Sequence, residues 1–352
     1  MTQVKRPQGM ILAAGLGTRL RPLTLSRPKP LMEVMGQSLI EYVLRHMHLA
    51  NVEQVVINTH YLGEKIVNAL GPTFHGIPIN YIFEREILGT GGALKNAAEL
   101  LQPSNSPVLL MNGDIFIDLN SAELVSTHEN KHAVATLMLK TVVDPQFFGA
   151  IGTDTNDQIQ TMVNFIDYQG PVLLERMFCG THFLSPEIWQ AFPKVPAFSI
   201  IDAFYVPLIR DHQRIMGLEQ QGYYGDLGTP ETLFQVNMDI LSGKIKFGSH
   251  DFFQRFQRLP NENSVSSVWV GSDAKISKSA TLTGPVVIDD EAEVQAGAKI
   301  GPHAIIGKRC VIGKNTEIVS SVMMSDTKIS ANQTCRQMIL DKEHSVKISH
   351  AV

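Results

Sequence analysis

The sequence predicts an α/β fold in two parts: a doubly wound, mostly parallel sheet, then a stack of short strands wound into a coil. Two observations carry this. From Met10 to about Leu241, short aliphatic runs alternate with stretches of helical spacing, the pattern of repeated βα units. From Val270 onward the apolar period changes to six, at Val270, Ile276, Leu282, Ile288, Val294, Ile300, Ile306, Ile312 and Ile318. A period of six fits neither a helix nor a two-sided strand.

The elements follow in order. Met10 to Ala14 reads as a buried strand that breaks into a loop holding Gly15 and Gly17. Ser38 to Ala50 has helical spacing, with Leu39, Tyr42, Val43, Met47 and Ala50 near one face. Gln54 to Asn58 is a strand, Leu62 to Leu70 a helix, Ile79 to Phe83 a strand and Ala93 to Leu101 a helix. Val108 to Met111 is a third buried strand that stops at Asn112-Gly113-Asp114. Ala133 to Lys140 is another strand. Thr229 as N-cap and Pro230 at the first helical position start a helix over Glu231 to Leu241. Gly15, the segment Glu84 to Gly92, and Asp114 all follow strand ends, where ligands bind in such sheets.

Composition narrows the partners. The chain has 352 residues, which suggests residues 1–240 as one domain, 241–264 as a polar surface helix and linker, and 265–352 as a second domain. A formal net charge of −4 supplies no polycation for nucleic acid. Cys179, Cys310 and Cys335 lie far apart and make neither a zinc pattern nor a disulfide framework. No apolar run approaches the ~18 residues of a membrane helix. No signal peptide is visible either, so the expected location is the cytoplasm. His46 and His48 point to different helix faces, and His128 with His132 lacks a third ligand, so no histidine metal site is expected.

Arg19, Arg21, Arg27 and Lys29 deliver four cations within eleven residues, stiffened by Pro22, Pro28 and Pro30. A strand, a glycine loop and a cationic arm suit a polyphosphate. The dinucleotide fingerprint fails because Leu20 stands where its third glycine belongs, and the P-loop Gly-Lys-Ser/Thr is missing. What remains is Gly15-Leu-Gly17-Thr18-Arg19-Leu20, eight residues, then Lys29. This resembles the signature of the sugar-1-phosphate nucleotidyltransferases. The resemblance implies a Rossmann-like doubly wound mixed sheet. Arg19 would serve the β- and γ-phosphates, and Lys29 the charge around the reacting centre. Leu12, Ala13, Ala14, Gly15, Gly17 and Thr18 would bind nucleotide.

Asn112-Gly113-Asp114 suits an ordinary turn, and Gly225-Asp226-Leu227-Gly228-Thr229-Pro230-Glu231 suits a capped helix start. In the family such aspartates resemble the two ligands of a catalytic Mg²⁺, which implies Asp114 and Asp226 here. Mg²⁺ takes one or two carboxylates and completes its shell with phosphate oxygens and water. Leu88-Gly89-Thr90-Gly91-Gly92-Ala93 reads as a glycine-rich turn, and resembles the family's nucleobase loop in its guanylyltransferase version. Gly89, Thr90 and Gly91 would lie against base or ribose, and Glu84 would read the base edge. A carboxylate only accepts hydrogen bonds, which suits the adjacent N–H donors of guanine better than uracil or thymine. Phe148-Gly149 and Cys179-Gly180-Thr181 resemble sugar-side loops, so Gly149, Gly180 and Thr181 are sugar candidates. Many relatives carry Glu-Lys-Pro between them, whereas this chain has Val163-Asn164-Phe165. The resemblance would then leave part of that role to Asn164, and the cation for the sugar phosphate has no assignment.

The period-six run resembles the hexapeptide repeat of a left-handed parallel β-helix. Four residues after each aliphatic position comes a small or apolar residue, from Ala274 to Cys310, Thr316 and Val322. Cys310 then packs inward. Such stacks need end caps and often bury a face against another subunit, so a homo-oligomer through this domain is expected. An acyltransferase role has only His303 to rest on. The reading is therefore transfer of a nucleotidyl group from a nucleoside triphosphate, GTP favoured, to a sugar-1-phosphate, mannose-1-phosphate favoured. Pyrophosphate would leave, with Mg²⁺ required. The alternatives are a uridylyl- or thymidylyltransferase, and a regulatory subunit that binds nucleotide sugar without turning it over.

Overall fold

The computed structural model describes residues 5–145, 149–171, 173–259 and 267–349. Phe148 lies outside them, as do the last residues of the expected linker. The chain divides into two units, Met1–Gly15 with Ile40–Tyr224, and Leu16–Leu39 with Gly225–Val352.

The first unit is built on one large sheet. Its centre is four parallel strands: β1 (Gln8–Ala13), β2 (Val55–Thr59), β3 (Ile77–Phe83) and β4 (Val108–Asn112), in the order β4-β1-β2-β3. Nearly every residue of β1, β2 and β4 is buried, as expected for parallel strands covered on both faces. Beyond β4 the sheet turns mixed. β5 (Ala135–Lys140) lies beside the long β6 (Leu174–Leu184), which runs antiparallel to both β4 and β5. β7 (Ile215–Glu219) runs parallel to β5. The helices α1 (Leu39–Leu49), α2 (Gly63–Leu70) and α3 (Gly89–Asn96) answer to the three expected from spacing, and α4 (Ser121–Asn130), capped by Asn120, adds one that was not expected. Leu39, Tyr42, Val43 and Met47 of α1 are buried, as their spacing predicts.

One helix start differs from the expectation. α3 begins at Gly89 rather than Ala93. The amides of Gly91 and Gly92 donate to the carbonyl of Phe198, at 3.1 and 3.2 Å, which satisfies donors that a helix start leaves open.

The second unit holds a parallel β-helix. Strand pairs recur every eighteen residues, as in Val268↔Val286↔Ala304 and Lys275↔Glu293↔Val311, so three hexads make one coil. Ile288, Ala292, Val294, Ala298, Ile300, Ile306, Cys310 and Ile312 fill the interior. The register then changes. Ala304 pairs with Ser321, and Lys299–Glu317 is followed by Thr334, a step of seventeen. One residue has been lost at the corner around Ser320, whose φ is 44°. The small inward slot expected at Val322 therefore belongs to Ser321. Val322 pairs with Ile305 and points outward instead, and it is still 2 % exposed.

That outward row, Val287, Ile305, Val322 and Ile339, is buried. Helix α5 (Pro230–Leu241) of the same unit packs on the strands that carry Val322 and Ile339. This part of the β-helix surface is thus covered by a helix of the same unit. Antiparallel strands close both ends of the stack, Gln257–Leu259 on Val268–Val270 and Ser345–Lys347 on Met338–Leu340. The stretch after Leu241 is neither helical nor purely a surface linker. Ile245, Phe247, Phe252 and Phe256 are buried, and Phe253 stacks on Trp269 at 4.7 Å. Among the described residues no helix is long and apolar enough to cross a membrane.

Candidate active site

In the first unit the parallel strands end level with one another. Leu12 pairs with Asn112, Ala13 with Thr59, and Thr59 with Phe83. Gly15, Glu84 and Asp114 therefore leave the same edge of the sheet. Gly113 donates its amide to the carbonyl of Leu12 at 2.8 Å, which ties the half-buried Asp114 turn to β1. Ala13 and Ala14 are buried, and the amide of Ala13 is taken by Asn58 Oδ1 at 3.0 Å. Gly15 is exposed, and a Cβ there would meet nothing within 4 Å.

Glu84, expected to read the base edge, lies inside the fold. It is 3 % exposed. Oε1 accepts from Asn58 Nδ2 at 2.7 Å, and Oε2 accepts from the backbone N–H of Leu88 at 3.1 Å. Because Asn58 also holds Ala13, this carboxylate braces the end of β1 and the loop that enters α3. The glycines of that loop have a similar explanation. A Cβ on Gly89 would lie 2.6 Å from the carbonyl oxygen of Phe198, and one on Gly91 would strike the Phe198 ring. The space on the open side of Gly91, expected to lie against base or ribose, holds the Phe198 ring. Thr90 is exposed, and its hydroxyl accepts from the amide of Ile200 at 3.0 Å.

The sugar-side candidates separate. Asn164 is exposed and lines an open cavity of about 810 Å³ with Thr161, Val163, Tyr168 and Glu175. Gly149, at φ 81°, stands beside Val163. Thr181 is 0 % exposed and pairs with Met111 inside the sheet, so it belongs to the core. Gly180 has φ 72° and sits at the irregularity of β6, where a Cβ would come within 2.7 Å of Asn112 Nδ2. It makes room for the last residue of β4.

In the second unit the cationic arm folds on itself. Gly17 adopts φ 60° before the short turn Thr18–Leu20, and its carbonyl accepts from Thr24 Oγ1 at 2.8 Å. Arg19 and Lys29 then reach one carboxylate. Arg19 Nη2 lies 3.5 Å from Asp226 Oδ2, and Lys29 Nζ lies 3.7 Å from Asp226 Oδ1. Gly228 leaves space for the Arg19 guanidinium, which a Cβ would approach to 2.7 Å. The Arg19 side chain is 66 % exposed and that of Lys29 only 9 %. Arg27, counted with the arm's cations, is committed elsewhere: it pairs with Glu33 and donates to the carbonyl of Ser325 at 3.2 Å. No sequence signal marks that contact, since Ser325 lies 298 residues away.

Asp114 and Asp226 stand on different units. Among the described residues no cluster of three or more His, Cys, Asp or Glu side chains could hold a metal ion alone. Each aspartate offers the hard carboxylate oxygens that Mg²⁺ takes, an ion that completes its shell with phosphate and water. His128 is buried between Thr136 Oγ1 and Ser185 Oγ, at 3.0 and 2.9 Å, and takes no part in a metal site.

Residues 8–243 match the family described as nucleotidyl transferase, and residues 282–352 match the GMPPB C-terminal domain. A mannose-1-phosphate guanylyltransferase of Mycobacterium tuberculosis is 28 % identical over 83 % of this chain and 82 % of its own length. A mannose-1-phosphate guanyltransferase of Pichia angusta is 28 % identical over 93 % of this chain and 87 % of its own. HddC from Yersinia pseudotuberculosis, solved complexed with GMP-PN, shares the fold at TM-score 0.54 and 24 % identity. It covers 66 % of this chain and 99 % of its own.

Proposed function

The chain belongs to the nucleotidyl transferase family, and from that premise we propose that it transfers a guanylyl group from GTP to mannose-1-phosphate. The observation that carries the reading is the convergence of Arg19 and Lys29, two cations of one arm, on the carboxylate of Asp226. The relatives over most of the chain supply the choice of base and sugar.

The chemistry asks little of the protein beyond charge and position. A sugar phosphate has its second pKa near ~6 and is already dianionic at neutral pH. Its oxygen attacks the α-phosphorus of the triphosphate, a P–O bond forms, and the bond to the bridging oxygen breaks as pyrophosphate departs. No protein base or covalent residue is needed, so catalysis is positioning plus neutralisation of charge. The exposed Arg19 side chain serves the β- and γ-phosphates. The buried Lys29, held close to its place, serves the charge around the reacting phosphorus. A triphosphate competes with Asp226 for these two cations. Asp114 and Asp226 would hold Mg²⁺, which supplies further neutralisation of phosphate charge. Leu12 to Gly15, Gly17 and Thr18 flank the nucleotide, with Gly15 open to a close approach. Gly89 and Thr90 flank it from the second loop, and Glu84 acts from behind by fixing that loop. Asn164 and Gly149 stand on the sugar side.

The test is pyrophosphate release with Mg²⁺ across GTP, UTP, dTTP, ATP and CTP against a panel of sugar-1-phosphates. Turnover confined to GTP with mannose-1-phosphate supports the proposal. Turnover with UTP or dTTP keeps the mechanism and removes the base assignment.

A further inference from the structure

We propose that Arg27, Glu33 and Ser325 form a positioning clamp for Lys29, so that the β-helix sets the place of a cation used in the reaction. This rests on the reading above, in which Lys29 acts on the phosphates.

The argument starts from the local chain. Between Arg27 and Glu33 lie only Pro28, Lys29, Pro30, Leu31 and Met32. Lys29–Leu31 is one tight turn, preceded by the extended Pro28 and closed by the amide of Met32 on the carbonyl of Lys29 at 2.9 Å. Prolines on both sides of Lys29 restrict its backbone. The segment transmits displacement of either end to Lys29.

Both ends are fastened to one residue of the β-helix. Glu33, 7 % exposed, pairs through Oε1 with Arg27. Its Oε2 accepts from the backbone N–H and the hydroxyl of Ser325, at 2.9 and 3.0 Å. Arg27 Nη2 donates to the carbonyl of Ser325. The partner is itself held firmly. Ser325 precedes Asp326, whose two oxygens accept from Arg309 of the preceding coil at 2.7 and 2.8 Å. Arg309 holds the Asp326 carboxyl below its ordinary range. Glu33 is further backed by Asn237 of α5, which donates to its carbonyl at 3.3 Å and accepts from the amide of Met35 at 2.8 Å. Displacing a reacting group by about 1 Å is enough to lose roughly 100-fold in rate.

The test uses the full chain and a double-mutant cycle. Turnover is measured with GTP and mannose-1-phosphate, and GTP affinity by calorimetry, for Lys29→Ala, Glu33→Gln, Arg27→Gln and each clamp variant combined with Lys29→Ala. Glu33→Gln is expected to lower kcat by about 10- to 100-fold while the KM for the sugar phosphate stays within about twofold. GTP affinity should fall in Glu33→Gln and not fall further when Glu33→Gln is added to Lys29→Ala, because the clamp acts through Lys29. If Glu33→Gln loses its native circular dichroism, Arg27→Gln carries the same comparison. Equal losses in both backgrounds, or clamp variants with wild-type kcat beside an impaired Lys29→Ala, overturn the clamp. An unimpaired Lys29→Ala overturns instead the reading on which it rests.

Discussion

Replacing Glu84 with alanine separates a buried brace from an exposed reader of the base. The carboxylate accepts from Asn58 Nδ2 and from the Leu88 amide. Asn58 is 3 % exposed, so its abandoned donor has no access to water. A buried donor left unsatisfied costs about 1–3 kcal/mol, and the half-buried Leu88 amide, which water can reach, about 0.5–1 kcal/mol. The sum is about 1.5–4 kcal/mol. In a unit of this size each kcal/mol moves the midpoint by about 2–4 °C, so Glu84→Ala should melt roughly 3–16 °C lower. Circular dichroism followed through the transition of the first unit is the assay. Nucleotide affinity should fall as well, because the loop entering α3 loses its anchor. Glu84→Gln keeps one acceptor and should lose about half as much stability. A Glu84→Ala variant that melts within 1 °C of the wild type while losing guanine selectivity would refute this reasoning and make the side chain a direct reader.

Gly180→Ala should destabilise by about 1–3 kcal/mol in urea titration, since a left-handed backbone and a crowded Asn112 oppose the methyl group; an unchanged midpoint would remove the packing argument. Burial pushes His182 down to about 3 and His128 down to about 4. The unfolded chain therefore binds their protons first, and stability is lost as pH falls from about 6.5 toward those values, by up to ~1.4 kcal/mol per pH unit for each histidine. Urea midpoints measured between pH 7 and 5 should fall less steeply in His182→Gln, and identical slopes would contradict the buried neutral ring. Burial raises the thiols of Cys179 and Cys310 to about 12, and Cys335 is buried too. The native chain should resist a thiol reagent at pH 8 that labels all three cysteines in urea, and rapid native labelling would contradict this.

The parts of the fold written in local pattern were legible. β1, α1 and the coil interior follow from apolar spacing, and the capped start of α5 at Thr229 and Pro230 follows from chemistry within four residues. The parts that depend on distant partners were not. The glycines at Gly89 and Gly91 look the same whether a ligand or Phe198 fills their open side. Arg27 reads as one more cation until Ser325 meets it. Val322 falls on the hexad count, but a one-residue loss at a corner moved the register and turned it outward. Glu84 stands out in the sequence at the end of a strand, yet its burial depends on Asn58, an unremarked strand residue.

The most direct measurement is the stoichiometry of pyrophosphate release from GTP with and without mannose-1-phosphate, in Mg²⁺. The account predicts one pyrophosphate for each guanylylated sugar formed, and none without the sugar phosphate. Release without acceptor, or a folded chain that binds nucleotide sugar and releases nothing with either substrate present, would contradict it.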